Sequence, residues 1–227
     1  MENNSKQAVL SIVGIAVLVI AVVGVSFAFF TYSKEGSTNN VITAGSIVFE
    51  FTEAENGLTL TDQFPRSDEE GITNPQFSFA ITGTLPNTMA PISYNVYAIK
   101  GTVPSGYEEA KRLKNSDIKF YVTTTSDEGI IDGGYGTANA ETKEYGAVVT
   151  ADIDGATGLQ IAHGVIEAKG SKVTDNYAIT MWVNDSVTIS DTDTSKEYCA
   201  SASGCTGSRA VYSDLFYSFK IRVDAQG

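Results

Sequence analysis

Six stretches of this chain alternate apolar and polar residues with a period of two, a spacing that commits it to β-sheet. In Ser46 to Thr52, Ile47, Phe49 and Phe51 share one face. In Gln76 to Thr82 the set is Phe77, Phe79 and Ile81, and in Ile92 to Lys100 it is Tyr94, Val96 and Ala98. Asp117 to Thr124 aligns Ile118, Phe120 and Val122, and Asn176 to Asn184 aligns Tyr177, Ile179, Met181 and Val183. Leu215 to Val223 aligns Leu215, Tyr217, Phe219, Ile221 and Val223. Successive strand residues point to opposite faces, so each set marks a face turned to a core. Weaker candidates at Leu58 to Thr61, Ala147 to Ala151 and Leu159 to Glu167 bring the total to about eight or nine strands.

Turn chemistry separates these runs: Asn56-Gly57, Glu70-Gly71, Pro86-Asn87, Asp132-Gly133-Gly134, Asp154-Gly155 and Lys169-Gly170. No repeat recurs at a fixed period. One short helix is expected, because Ser105-x-x-Glu108 resembles a capping box and EEAKRLKN sets acids before bases. It has no wide apolar stripe, so it reads as about one or two turns on the surface. The implied fold class is all-β, a two-sheet β-sandwich with inner faces built from the alternating sets.

One segment is of another kind. Ala8 to Phe30 reads AVLSIVGIAVLVIAVVGVSFAFF, with no charge between Lys6 and Lys34. At about 1.5 Å per helical residue it can cross a hydrocarbon core of roughly 30 Å. The sandwich is therefore expected to come after one N-terminal hydrophobic helix and to be exported. Two outcomes stand. Ser26-Phe27-Ala28 sets small residues at −3 and −1 of a cut, with Phe29 as the first mature residue. Against cleavage, MENNSK balances one Lys with one Glu, and the apolar run exceeds the usual signal length of about 7–15 residues. The chain divides into residues 1–28, a signal peptide or signal anchor, 29–40, a connector or donor strand, and 41–227, the β domain. Its place is outside the cell or on its surface, anchored in the cytoplasmic membrane through residues 8–30 if these are retained.

Hydrophobic residues make up 42% and aromatic ones 10%, enough for a real core rather than disorder. A formal net charge of −12 repels phosphate backbones, which argues against nucleic acid as a partner. It gives no help on anionic lipid, and it leaves divalent cations as candidate partners.

Catalytic patterns are sparse. His163 is the only histidine, in LQIAHGVIEA, with no HExxH, no Walker loop and no GxGxxG. Glu167 lies on the same strand face, too far along for a close pair. A lone imidazole without a nucleophile motif gives a triad nothing to build on, so the chain reads as no enzyme and needs no cofactor. Cys199 and Cys205 stand in CASASGC, and in an exported chain a loop-tip disulfide is the natural reading, worth about 2 kcal/mol. Zinc is the rival, but two Cys and one His cannot close a four-ligand site without carboxylates. Ca²⁺ could be held by Asp152 and Asp154 in DIDG, or by Asp191 and Asp193 beside Asp185. Asp68-Glu69-Glu70 is another acidic run, and each of these also reads as a solvated turn. Asn184-Asp185-Ser186 fits the glycosylation sequon.

Three features together resemble one family. They are Ser26-Phe27-Ala28-Phe29-Phe30-Thr31 closing the apolar run, Asn39-Asn40 in the polar stretch, and Ile42-Thr43-Ala44-Gly45-Ser46-Ile47-Val48-Phe49 opening the first strand. This is similar to the N-terminus of the TasA/camelysin family, exported bacterial proteins processed by a SipW-type signal peptidase. The matched region covers about 25 residues. The resemblance implies a jelly-roll-like fold and a secreted subunit of biofilm-matrix fibres. It also implies self-association, with a freed N-terminal strand pairing in the next subunit. Phe29, Phe30, Thr31 and Tyr32 are the candidate donor residues, since an apolar tail can add to a neighbour's sheet edge. The same aromatics, with Phe27, would also serve as a membrane-interface belt. The competing reading is an anchored surface domain that binds a ligand, glycan or protein, with Tyr107, Tyr135 and Tyr145 as stacking platforms. Some family members are labelled metallopeptidases, a label that the residues of this chain do not support.

Overall fold

Alternation turns into burial on strand after strand. The computed structural model describes residues 15, 31–35, 40–44, 47–53, 57–61, 63–74, 76–126, 129–136, 138–139, 144–149, 153, 158–190, 196, 198–199, 210–211 and 215–226. The strands are β1 (Thr31–Glu35), β2 (Asn40–Ala44), β3 (Ile47–Glu53), β4 (Leu58–Thr61), β5 (Phe77–Thr84), β6 (Ile92–Lys100), β7 (Ile118–Thr124) and β8 (Ile130–Ile131). They continue as β9 (Ala138–Asn139), β10 (Glu144–Tyr145), β11 (Ala147–Val148), β12 (Leu159–Ile166), β13 (Lys172–Val183), β14 (Tyr198–Cys199), β15 (Ala210–Val211) and β16 (Phe216–Gln226). The α-helix α1 (Asp68–Gly71) is a single turn.

Two six-stranded antiparallel sheets carry the fold. The first runs β1-β16-β6-β12-β8, with β4 also on β16, and the second runs β11-β7-β13-β5-β3-β2. Their facing sets meet in one core. Phe219 of β16 lies 4.8 Å from Phe120 of β7 and 6.1 Å from Phe77 of β5, ring centre to ring centre. Ile81, Val96, Phe120, Ile179, Met181, Ile221 and Val223 are fully buried. Such side chains each contribute about 1.5–3 kcal/mol by leaving water.

β13 and β16 are buried on both faces over part of their length. Met181, Trp182 and Val183 are all buried, and so are Phe216, Tyr217, Ser218 and Phe219. The outer faces are covered by connecting chain. Gly71 of α1 sits so close to the Trp182 ring that a Cβ there would lie 2.3 Å from Cγ. Phe216 is covered by the Arg112 guanidinium at 4.7 Å and by Tyr107, whose ring centre is 5.6 Å away.

The surface helix expected over EEAKRLKN is cut down to 3-10 turns. Residues Glu109–Lys111 make one 3-10 turn, preceded by Glu108 with no side-chain cap, and Asn115–Asp117 make another. Arg112 between them is extended. The reason is tertiary. The Leu113 N–H donates to Phe216 O at 2.8 Å, and Arg112 donates to Ser218 O at 3.1 Å and Gly101 O at 2.9 Å. These bonds pull the segment flat along β16. Glu109 accepts from Arg112 and from Lys100, and those two cations hold its carboxyl down to about 2.

The helical turn forms in the acidic run instead. Ser67 Oγ accepts from the Glu70 N–H at 3.4 Å, an N-cap, and the acids fill the first turn, where the dipole favours them. Asp68 is 9% exposed and accepts from Lys119 Nζ at 2.8 and 2.9 Å and from the Tyr145 N–H at 2.9 Å. It is therefore a buried ion-pair partner, not a solvated turn. Among the described residues no helix is long and apolar enough to cross a membrane. Apart from Ile15, the hydrophobic helix expected over residues 8–30 lies outside the described residues.

Candidate functional site

The edge of the first sheet is built in two pieces on one long strand. β16 pairs on one side with β6, from Phe219↔Lys100 to Gln226↔Ser93. On its other side Phe216 to Phe219 pair with β4, and Arg222 to Gln226 pair with β1, Thr31↔Gln226 through Glu35↔Arg222. The N-terminal strand thus closes the C-terminal half of an edge that β4 closes elsewhere. Ile221, Val223 and Ala225 of β16 are buried, so uncovering this half would bring water to the rim of the core. In the alternate row of β16 the Arg222 guanidinium lies over the Tyr97 ring at 4.7 Å, and Arg222 Nε is 3.3 Å from Asp224 Oδ1. The register sets Glu35 opposite Arg222 and Ser33 opposite Asp224. Four residues, numbers 36–39, separate β1 from β2 in the opposite sheet.

Of the donor-strand candidates, Thr31 and Tyr32 lie in β1, paired within their own chain. Phe29, Phe30 and the junction residues Ser26 and Ala28 lie outside the described residues. So do Cys205, Asp152, Asp154, Asp191 and Asp193. Cys199 is buried in β14, and the bridge expected between it and Cys205 falls outside the described residues. Among the described residues no group of three or more His, Cys, Asp or Glu is placed to hold a metal ion. The sequon residue Asn184 is 7% exposed and accepts from the Ser186 N–H at 3.3 Å, which leaves its amide poorly placed for a glycan.

His163 finds its partner across a loop rather than along its strand. Its Nδ1 is 2.9 Å from Oδ1 of Asp132, and Gln160 Nε2 donates to Oδ2 of the same carboxylate at 3.0 Å. Asp132 is carried there because its N–H donates to Ile161 O at 2.9 Å, beside a bulge between Gln160 and Ala162. The carboxylate orients the imidazole, but among the described residues no hydroxyl or thiol hydrogen-bonds to the ring. The loop tyrosines are engaged as well. Tyr135 is 4% exposed, Tyr107 packs on Phe216, and Tyr145 packs edge-on to Tyr121 at 6.0 Å.

Sequence reasoning missed one buried polar cluster. Tyr94 of β6 donates to Asp175 Oδ2 of β13 at 2.5 Å, and Ser126 Oγ donates to Oδ1. With the Tyr94 proton committed, Tyr177 donates to the Tyr94 oxygen at 2.7 Å. Burial, then the Asp175 hydrogen bond, pushes the Tyr94 hydroxyl far above its usual range, and burial pushes Tyr177 up to about 12. Gly164 makes room, since a Cβ there would lie 2.3 Å from Tyr94 Oη. A signal was present: Asp175 is in phase with Tyr177 and Ile179 on a core-facing set.

No protein-family model, no curated protein and no solved structure matches this chain.

Proposed function

We propose that this chain is an exported structural protein of the cell surface, a subunit of extracellular fibres of the TasA/camelysin kind. In this reading it is a two-sheet β-sandwich of jelly-roll type and not an enzyme. A SipW-type peptidase cuts after Ala28, and the strand that begins the mature chain joins one subunit to the next. Left uncut, residues 8–30 hold the same domain at the membrane.

The observation that carries the reading is the position of β1. It is an edge strand directly behind the proposed export junction, and it covers half of the β16 edge. Only four residues tie it to β2. A strand near a terminus, on an edge, can leave its own sheet and add to the same edge of another copy, with identical backbone hydrogen bonds on both sides of the exchange. That contact is heterologous, so it propagates into a filament instead of closing. The net charge of −12 opposes close approach of subunits, so assembly strengthens with salt, acid or Ca²⁺.

Ser33 and Asp224 face each other across β1 and β16, and they make the test. Copies carrying Ser33→Cys are mixed with copies carrying Asp224→Cys and oxidised under assembly conditions. A disulfide-linked dimer between the two kinds is expected, and the double variant should run as a ladder. Only intramolecular bridging in the double variant, under every condition, would sink the reading. Amino-terminal sequencing of the extracellular form should begin at Phe29.

A further inference from the structure

We propose that the chain also forms a two-fold dimer, by pairing β2 with β2 of a second copy. The contact is separate from strand donation and does not rest on it. β2 ends the second sheet, and all five of its residues are in register with β3, from Asn40↔Phe51 to Ala44↔Ile47. Among the described residues nothing pairs with its other side. An edge of this kind is a template for another strand unless it is shortened, charged or interrupted by proline.

The other edges of the two sheets carry such protection. β8 and β11 are two residues each and β4 is four, while β1 contains Lys34 and Glu35. β2 has none of it. Its sequence, Asn40-Val41-Ile42-Thr43-Ala44, holds no charge and no proline, and three of its residues are β-branched. In a chain of net charge −12, a charge-free edge is where two copies can meet without opposing like charges.

The same sequence selects a second copy as the occupant. Antiparallel pairing about a two-fold axis at Ile42 sets Ile42 against itself and Val41 against Thr43 of the second copy. Both are β-branched matches of the kind that stabilise cross-strand pairs. Asn40 falls opposite Ala44 of the second copy. The contact is isologous and closed, so it yields dimers and no longer array. Combined with head-to-tail donation, it would join two fibres side by side.

The register makes the test specific. Ile42 stands in the row of Phe49 and Gly83, the row that runs past buried Ile166, whereas Val41 and Thr43 stand in alternate rows with Glu50 and Val48. Positions 41 and 43 therefore fall outside the register row that runs through Phe49 to Gly83. The full chain, in mild detergent, is made as Val41→Cys and as Thr43→Cys, with the unaltered chain as the background for its own two cysteines. Mixing the two variants should give at least about five-fold more disulfide-linked dimer than either alone, because only the mixed pair is directly opposed. Val41→Glu combined with Thr43→Glu opposes carboxylates across the axis and should return the protein to monomer by sedimentation. Equal cross-linking by the single variants, or dimerisation that survives the double Glu change, would overturn the proposal. The Ser33–Asp224 ladder, read on the same samples, reports strand donation independently.

Discussion

Tyr94 of β6 and Asp175 of β13 are joined by a 2.5 Å hydrogen bond that ties one sheet to the other through the buried interior. The carboxylate has hydroxyl donors on both oxygens, and Tyr177 extends the chain of bonds. Groups of this kind are held in the core only because their partners are in place.

Tyr94→Phe removes a donor from a carboxylate that is 1% exposed, and it also strips Tyr177 of its acceptor. The expected cost is about 2–3 kcal/mol in urea unfolding. Tyr177→Phe, which removes only the outer bond, should cost about half as much. Equal costs would show that Asp175 draws nothing from Tyr94.

Stability should fall at alkaline pH. A tyrosine is neutral while protonated, and the unfolded chain releases these protons near 10.0. The folded protein keeps the Tyr177 proton to about 12 and the Tyr94 proton beyond that. Above pH 10 the folded state therefore binds more protons than the unfolded one. The contribution is complete below that pH and is lost as pH rises through the folded values. Urea midpoints between pH 8 and 11.5 should drop, and the drop should be shallower in Tyr177→Phe.

Gly71→Ala should disturb the single tryptophan of the chain. A Cβ at Gly71 meets Trp182 Cγ and Cδ2 at 2.3 Å, and that ring is fully buried between α1 and the second sheet. Lifting α1 to make room should cost about 1–3 kcal/mol and red-shift the Trp182 emission. Unchanged fluorescence would mean that α1 does not cover the ring in solution.

Asp68→Ala leaves Lys119, 13% exposed, without its carboxylate and should cost about 2–3 kcal/mol. Pairing it with Lys119→Met should recover most of that loss, because the uncompensated charge is then gone as well. A double-mutant cycle by thermal unfolding measures the difference.

Strand positions were legible because a period of two is a local property. β6 and β4 span the residues that the spacing predicts, Ile92–Lys100 and Leu58–Thr61, and β5, β7, β13 and β16 differ from the predicted runs only at their ends. The capping box at Ser105 misled, because a local preference worth about 1 kcal/mol yields to the bonds that Arg112 and Leu113 make with β16. Asp68 read as a solvated acid because Lys119 and Tyr145, its partners, are far away in the chain.

The sequence by itself determined the long strands β5, β6, β7, β13 and β16 and the alternating set of each that meets the core, since side-chain alternation comes from backbone geometry alone, whereas the two-residue strands β8, β9, β10, β14 and β15 carry no such pattern. It also set apart the uncharged run of residues 8–30 from the acidic remainder of the chain. The tertiary structure decided the partners. It placed β1 against β16, Asp132 against His163, and Tyr94 against Asp175, 81 residues away. Such pairings depend on strand order and register, which are settled by how two whole sheets bury their apolar faces together, and no local pattern encodes that choice.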